Sequence, residues 1–275
     1  MKLAVIGGTG ALNLFQTRRS VSMTTPFGPP SDRPREIVIG NSEIGNSEID
    51  DPDTDGSDIG DPDVGDSETG IPETGNSGIW FLARHGDPHR IPPHRINYRA
   101  NIHALRTLGV DSVLAINAVG GVSAELPAGS MLVPDQLIDY TWGRAHTFSD
   151  GGSAPLRHID FTRPFDGPLR ERLLDAGRRA GHELVDGGCH AVTQGPRLET
   201  AAEVAQLAAA GCAVVGMTAM PEAALAREAG IDYASLCVVA NAGAGLEDGP
   251  ITEADIHRVL QTTMQKVAEI ITRMF

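Results

Sequence analysis

Three apolar stretches in the second half of the chain, each running directly into a polar junction, restrict its folding more than any other feature. Val192–Val204 reads VTQGPRLETAAEV, Ala213–Glu222 reads AVVGMTAMPE and Tyr233–Asn241 reads YASLCVVAN. Each begins as a buried-type strand. The first passes through a Gly-Pro turn towards an alanine-rich helix starting at Glu199, the second enters a helix after a short polar turn, and the third ends in an amide. Successive strand ends that carry polar groups are where open α/β sheets place ligands, so the three junctions are expected to line one crevice. Glu199 alone has a plainer reading as a carboxylate that complements its helix dipole.

The chain of 275 residues, 41% of them hydrophobic, can bury a substantial core. Its apolar runs fall short of the ~18 residues of a membrane span. The run that opens the chain is too short for a secretory leader, so a cytoplasmic protein is expected. Cys189, Cys212 and Cys237 are odd in number and lack metal-ligand spacing, which predicts reduced core thiols. Of the net charge of −14, twelve units arise between Gly40 and Gly78, where no Lys or Arg occurs, leaving −2 for the rest. This balance argues against a nucleic-acid partner.

The same segment repeats an approximate five-residue unit, GNSEI, GNSEI, then related forms to GNSGI. Low hydrophobicity with recurrent Gly, Pro and acid predicts an insertion at about 40–78 that builds no core. A short β-solenoid and loose calcium binding are the other readings of that composition. Its flanks, Glu36–Ile39 and Ile79–Ala83, are expected to pair as a hairpin. Elsewhere strands are predicted at 2–6, 113–117, 130–139 and 189–193, with helices at 96–108 and 168–181. A long loop is expected over 140–167, and an amphipathic helix from Thr252 to Met274 opens with the capping pair Thr252 and Asp255. Strands and helices alternate, which gives an α/β fold, a single domain with a central mixed β-sheet flanked by helices.

Arg84 and His85 stand where a strand ends and offer two adjacent donors suited to phosphate or another oxyanion. The Gly7-Gly8-Thr9-Gly10 turn and the Asn117–Gly121 loop can add a hydroxyl and backbone N–H groups. A surface arginine, a structural histidine, a tight turn and capping amides at Asn117 and Asn241 are the alternatives. GxGxxG spacing, a metal-ligand cluster and a nucleophile elbow are all absent from the sequence. A site of oxyanion donors, one carboxylate and amides suits displacement by a bound anion rather than covalent catalysis.

Several motifs then fall in one order: Gly7–Gly10, Thr25-Pro26-Phe27-Gly28, Ala83-Arg84-His85-Gly86, Asn97-Tyr98-Arg99-Ala100-Asn101-Ile102, Gly195-Pro196-Arg197, Met217-Thr218 and Pro221-Glu222. In this the chain resembles the trimeric purine nucleoside phosphorylases, with most similarity to the methylthioadenosine and methylthioinosine phosphorylase branch. The resemblance spans the chain outside the acidic insertion and is weaker over residues 11–24. It implies a homotrimer in which phosphate attacks the anomeric carbon of a purine nucleoside, with inorganic phosphate as co-substrate and no cofactor or metal. By that similarity Thr9, Arg84, His85, Asn117, Ala118 and Thr218 hold phosphate and Met217 packs on the ribose. Leu198, Glu199, Asn241, Ala242 and Gly243 face the base, and His85 and Asn241 are the catalytic residues. A cation-like sugar and a base that leaves with negative charge require a nucleophile held in line and a donor for the base.

Where enzymes for 6-aminopurines resemble one another, an aspartate stands at the place of Asn241. An amide there can donate to a 6-oxo group, and Glu199 can accept the ring N–H beside that oxygen. Mispairing such a site costs a factor of ~10⁴ or more, which favours hypoxanthine-type bases. At the 5′ end the similarity places Ile256, with Leu260 one turn on, where a histidine serves ordinary nucleosides. An apolar pair suits a methylthio group and discriminates by ~10–100-fold. S-Methyl-5′-thioinosine is therefore the expected substrate. Methylthioadenosine phosphorylase and inosine/guanosine phosphorylase remain open within the class, and a non-catalytic nucleoside-binding protein that recruits a partner through its acidic loop remains open outside it.

Overall fold

The computed structural model describes residues 1–8, 11, 14–38, 78–151 and 155–275. Thr9, and the expected insertion apart from Gly78, lie outside the described residues. In chain order the elements are β1 (Leu3–Gly7), β2 (Gln16–Ser20), β3 (Arg35–Val38), β4 (Ile79–Ala83), α1 (Tyr98–Thr107), β5 (Ser112–Gly121), β6 (Met131–Val133) and β7 (Gln136–Asp139). They continue with α2 (Pro168–Ala180), β8 (Val185–Asp186), β9 (Cys189–Val192), α3 (Ala201–Ala209), β10 (Cys212–Gly216), α4 (Ala219–Ala229), β11 (Asp232–Ala242) and α5 (Glu253–Thr272).

The eleven strands among the described residues join one mixed sheet whose main path runs β2-β3-β4-β1-β5-β10-β9-β7, with β11 pairing β5 and β6. The expected hairpin forms, since Arg35, Glu36 and Ile37 pair antiparallel with Phe81, Trp80 and Ile79. The central strands are apolar on both faces because both faces are covered. Leu3, Val5, Leu114 and Ile116 pack in one cluster with Leu173 of α2 and Val267 of α5. Their neighbours Ala4, Ile6, Val113 and Ala115 pack in another with Leu105 of α1 and Ala226 of α4. The two-residue period of the strands thus divides the core into two layers.

Three boundaries differ from expectation. The strand expected over 130–139 is two, separated at Pro134, which has no N–H for the ladder; β6 joins β11 and β7 joins β9. The helix expected from Glu199 begins at Ala201 instead. Thr200 is its N-cap and forms a capping box with Glu203, which leaves Glu199 in the loop before it. The helix expected over 96–108 begins at Tyr98, where Asn97 caps it by accepting from Ala100 N–H, and a 3-10 turn over Pro93–Arg95 precedes it.

The pairing of β5 leaves an opening in the sheet. One edge is occupied throughout by β11. The other is shared: β1 pairs parallel with Ser112 to Ala115, and β10 pairs antiparallel with Gly120 and Gly121. Between them, residues 116–119 have no strand on that side among the described residues, and the sheet splits there. A gap of this kind in an α/β sheet is a switch point.

The three cysteines are free thiols. Cys189 and Cys212 are register partners on β9 and β10, with their Sγ atoms 4.0 Å apart. His190 on β9 is wholly buried. Its Nδ1 meets the Cys237 Sγ at 3.5 Å, while Nε2 has no hydrogen-bond partner among the described residues. Gly216 is a glycine for this reason: a Cβ there would lie 2.7 Å from His190 Nε2.

Burial, aided by the charge of Arg84, pushes the His190 imidazole down to about 4. The unfolded chain takes up that proton below about 6.5. The contribution to stability is therefore complete above that value and is lost as pH falls towards 4, an effect on the order of 3 kcal/mol. Melting temperature should fall over this range, and His190→Leu should flatten the fall. An unchanged slope in that variant would refute the assignment.

Candidate functional site

Arg84 and His85 follow β4 directly, and the Arg84 N–H donates to Gly7 O of β1 at 2.8 Å, which aims both residues at the split in the sheet. Arg84 is 1% exposed. Its Nε and Nη2 meet the two carboxylate oxygens of Glu222 at 2.7 and 2.8 Å, and its Nη1 donates to Ile116 O at 3.2 Å. The guanidinium thereby takes a carbonyl on the bare edge of β5, which would otherwise be buried unsatisfied. Tyr233 OH donates to Glu222 at 2.9 Å, so this carboxylate, itself 0% exposed, is fully engaged. The expected free arginine fork is therefore corrected. Two of its three nitrogens face Glu222, and Nη1 is the one directed at the cavity side, beside Gly8.

His85 also differs from expectation. Its Nδ1 lies 2.7 Å from Ile91 O, and a carbonyl can only accept, so Nδ1 carries the proton. Burial, with the neighbouring Arg84 charge, pushes the ring down to about 4. His85 is thus neutral near pH 7, and Nε2 is an acceptor rather than the second donor that the sequence suggested. It can hold a protonated phosphate oxygen. His89 stacks on it with centroids 4.3 Å apart.

Thr218 stands at the head of α4, but its hydroxyl donates to Asn117 Oδ1 at 3.0 Å instead of capping the helix. Asn117 in turn donates to Ser235 at 2.8 Å. Ala118, Val119 and Gly120 line the cavity, while the Asn117 side chain is buried between Thr218 and Ser235 and holds the Thr218 hydroxyl. The expected direct ligand Asn117 is a support. Ala242 is also corrected: Ala240, Asn241, Gly243 and Ala244 line the cavity, past a register shift between Val239 and Asn241, and Ala242 does not. Asn241 Nδ2 donates to Ala242 O at 2.7 Å.

These groups surround one cavity of about 390 Å³, within the range of small-molecule sites. Its wall includes Gly8, Arg84, His85, Ala118 and Thr218, together with Met217, Leu198, Glu199, Asn241 and Gly243, and Ile256 of α5. The Glu199 Oε1 accepts from the Thr193 hydroxyl at 2.6 Å. Leu260 is corrected: it is 1% exposed and belongs to the core packed beneath the sheet. Four residues advance a helix by about 6 Å, which carries Leu260 past the cavity and into the interior. His257 is exposed and does not line the cavity.

Sequence reading missed Arg144, which lies in the long loop before α2 and is 8% exposed. Its Nη1 donates to Met217 O at 2.8 Å and Met220 O at 2.6 Å, and its Nη2 donates to Gln194 O at 2.9 Å and Thr193 O at 3.3 Å. One guanidinium therefore ties the loop leading to Glu199 to the loop carrying Met217 and Thr218. Gly195 lies at the join, with a φ of +59° and no room for a Cβ, which would sit 2.4 Å from the Met217 Sδ. The motif residue Arg197 points elsewhere, to Glu203 at 2.8 Å. Only a spacing-independent signal, an arginine amid a polar loop, marked Arg144 in the sequence. No group of His, Cys, Asp and Glu among the described residues could hold a metal ion.

One cavity at a break in a mixed sheet thus brings together Arg84, His85 and Thr218 with a carboxylate, Glu199, and an amide, Asn241. Residues 73–275 match the model of the phosphorylase superfamily, and the chain belongs to that family. A Pseudomonas syringae pv. tomato protein named probable S-methyl-5′-thioinosine phosphorylase is 42% identical over 98% of this chain and 97% of its own length. The 6-oxopurine nucleoside phosphorylase of Pyrococcus furiosus is 41% identical over 72% of this chain and 76% of its own. Among solved structures, a mutant of the adenosine/methylthioadenosine phosphorylase of Schistosoma mansoni in complex with methylthioadenosine superposes with a TM-score of 0.81. It is 29% identical, and the match covers 100% of this chain and 90% of the other.

Glu222→Gln leaves Arg84 buried without its counter-charge and should cost about 3–5 kcal/mol in urea unfolding. Replacing both partners by Arg84→Met with Glu222→Leu should restore most of that stability. A Glu222→Gln variant as stable as the parent would show that the pair is not the strut described.

Proposed function

We propose that the protein catalyses phosphorolysis of S-methyl-5′-thioinosine, giving hypoxanthine and 5-methylthioribose 1-phosphate. The observation that carries this reading is that Glu199 and Asn241 line the same cavity as Arg84, His85 and Thr218. A nucleoside laid across it has its base against Glu199 and Asn241 and its sugar over Met217. Phosphate then enters at Gly8, Ala118 and Thr218, on the side of the anomeric carbon from which it displaces the base. Arg84 Nη1 and Gly8 face that anion, and neutral His85 accepts a phosphate O–H. As the C–N bond breaks, positive charge on the sugar is offset by phosphate, and Asn241 meets the charge developing on the purine.

The choice of base follows from donor and acceptor order. Glu199 accepts the N–H adjacent to a 6-oxo group, a hydrogen that a 6-aminopurine lacks, and the Asn241 amide can donate to the oxygen. Curated relatives from Pseudomonas syringae pv. tomato and Xanthomonas campestris pv. campestris bear the methylthioinosine name. The Schistosoma neighbours are described with methylthioadenosine or adenine, which is the competing substrate class. Ile256 supplies the apolar wall for a 5′-methylthio group without Leu260. No resident cofactor is required, since phosphate is itself the nucleophile. No helix among the described residues is long and apolar enough to cross a membrane; a cytoplasmic homotrimer is part of the proposal.

Side-by-side turnover of methylthioinosine, inosine and methylthioadenosine should depend on phosphate, with kcat/KM for methylthioinosine ahead of methylthioadenosine by ~10² or more. Asn241→Asp should shift that ratio towards the 6-amino substrate. Preference for methylthioadenosine in the parent, or an unmoved ratio in the variant, would reject the roles given to Glu199 and Asn241. Ile256→His should improve inosine relative to methylthioinosine by ~10-fold in kcat/KM, and an unchanged ratio would remove Ile256 from the 5′ wall.

A further inference from the structure

The titratable side chains on the cavity wall are Arg84, His85, His89, Arg90 and Glu199. Their charges do not favour an anion in the way the residue types suggest. The charge of Arg84 is matched by Glu222 in a closed bidentate pair. His85 is neutral, as derived above, and burial together with the nearby His257 also lowers His89. Glu199 is an acid. Arg90 remains: it is exposed, lines the cavity, and its side chain has no ion pair or hydrogen bond among the described residues.

The loop geometry places Arg90 beside the anion recess. The N–H groups of Arg90 and Ile91 both donate to His85 O, at 3.1 and 2.9 Å, and Ile91 O accepts from His85 Nδ1 at 2.7 Å. Residues 86–91 therefore curl back on His85, and the arginine is held on the rim of the recess that His85 lines. Of the other arginines in this part of the chain, Arg33 and Arg95 are exposed but do not line the cavity. Arg35 is bound to Asp32 and Asp87, and Arg99 to Asp150.

We propose, resting on the phosphorolysis reading, that Arg90 is a phosphate-binding residue that supplies the uncompensated positive charge of the anion recess. Arg84 then acts chiefly as a fixed hydrogen-bond donor, and Arg90 sets affinity for the dianion. Because Arg90 is at the rim, its contribution falls as salt rises. Its planar fork can also grip two phosphate oxygens once the anion is seated.

The test is calorimetric titration of inorganic phosphate into the full chain and into Arg90→Ala, Arg90→Lys and Arg90→Glu, with nucleoside affinity measured in parallel. Arg90→Ala should weaken phosphate about tenfold at low salt, Arg90→Glu should weaken it further, and Arg90→Lys should recover much of the loss. The difference should shrink near 0.5 M salt, where the screening length falls to about 4 Å. Nucleoside affinity should stay within about twofold, well under the tenfold step that a direct contact of 1.4 kcal/mol represents. Unchanged phosphate affinity in Arg90→Ala, or an equal loss for the nucleoside, overturns the inference. The phosphorolysis reading fails on a different measurement, the absence of phosphate-dependent nucleoside cleavage by the parent protein.

Discussion

The bare edge of β5 between Ile116 and Val119 governs the rest of the molecule. A buried strand edge must satisfy its carbonyls, and β1 and β10 meet β5 above and below this point without covering it. Arg84 answers the carbonyl of Ile116 from one side. That places a cation in the interior, which calls for Glu222, and Glu222 calls for the hydroxyl of Tyr233. Each requirement is a consequence of the one before, and the result is a polar column through an otherwise apolar sheet. The cavity is the space left over where no strand runs.

Much of the fold could be read in the sequence because its central strands are apolar throughout and its helices carry caps. Thr252 with Asp255 and the Asn-rich start of α1 mark their helices locally. The β3–β4 hairpin was legible across the acidic segment because its two arms pair whatever lies at the tip. The site was legible as a set of junctions, but not in its division of labour. That Asn117 supports Thr218, that Leu260 belongs to the core, and that the fork of Arg84 is occupied all depend on partners distant in the chain; Glu222 is 138 residues from Arg84. Arg144 was hidden for the same reason, since it binds backbone carbonyls, which leave no trace in side-chain identity.

The relatives and the structural neighbours diverge in the base they are named for, although the Schistosoma mansoni neighbour in complex with methylthioadenosine superposes on this fold with a TM-score of 0.81. Such a difference is compatible with one scaffold, because exchanging an acid for an amide at one wall position reverses a hydrogen bond without moving a strand. In the proposed reading the frame sets where anion, sugar and base lie, the wall side chains select the base, and α5 selects what is tolerated at the far end of the sugar.

The crosslink made by Arg144 bears on how ligands are received. Two loops are pinned to one another by one guanidinium bonded to four main-chain oxygens. A ligand docking against a wall crosslinked in this way forfeits little chain entropy. The heat released on association should then reflect desolvation and contact with the ligand itself more than any tightening of the receptor.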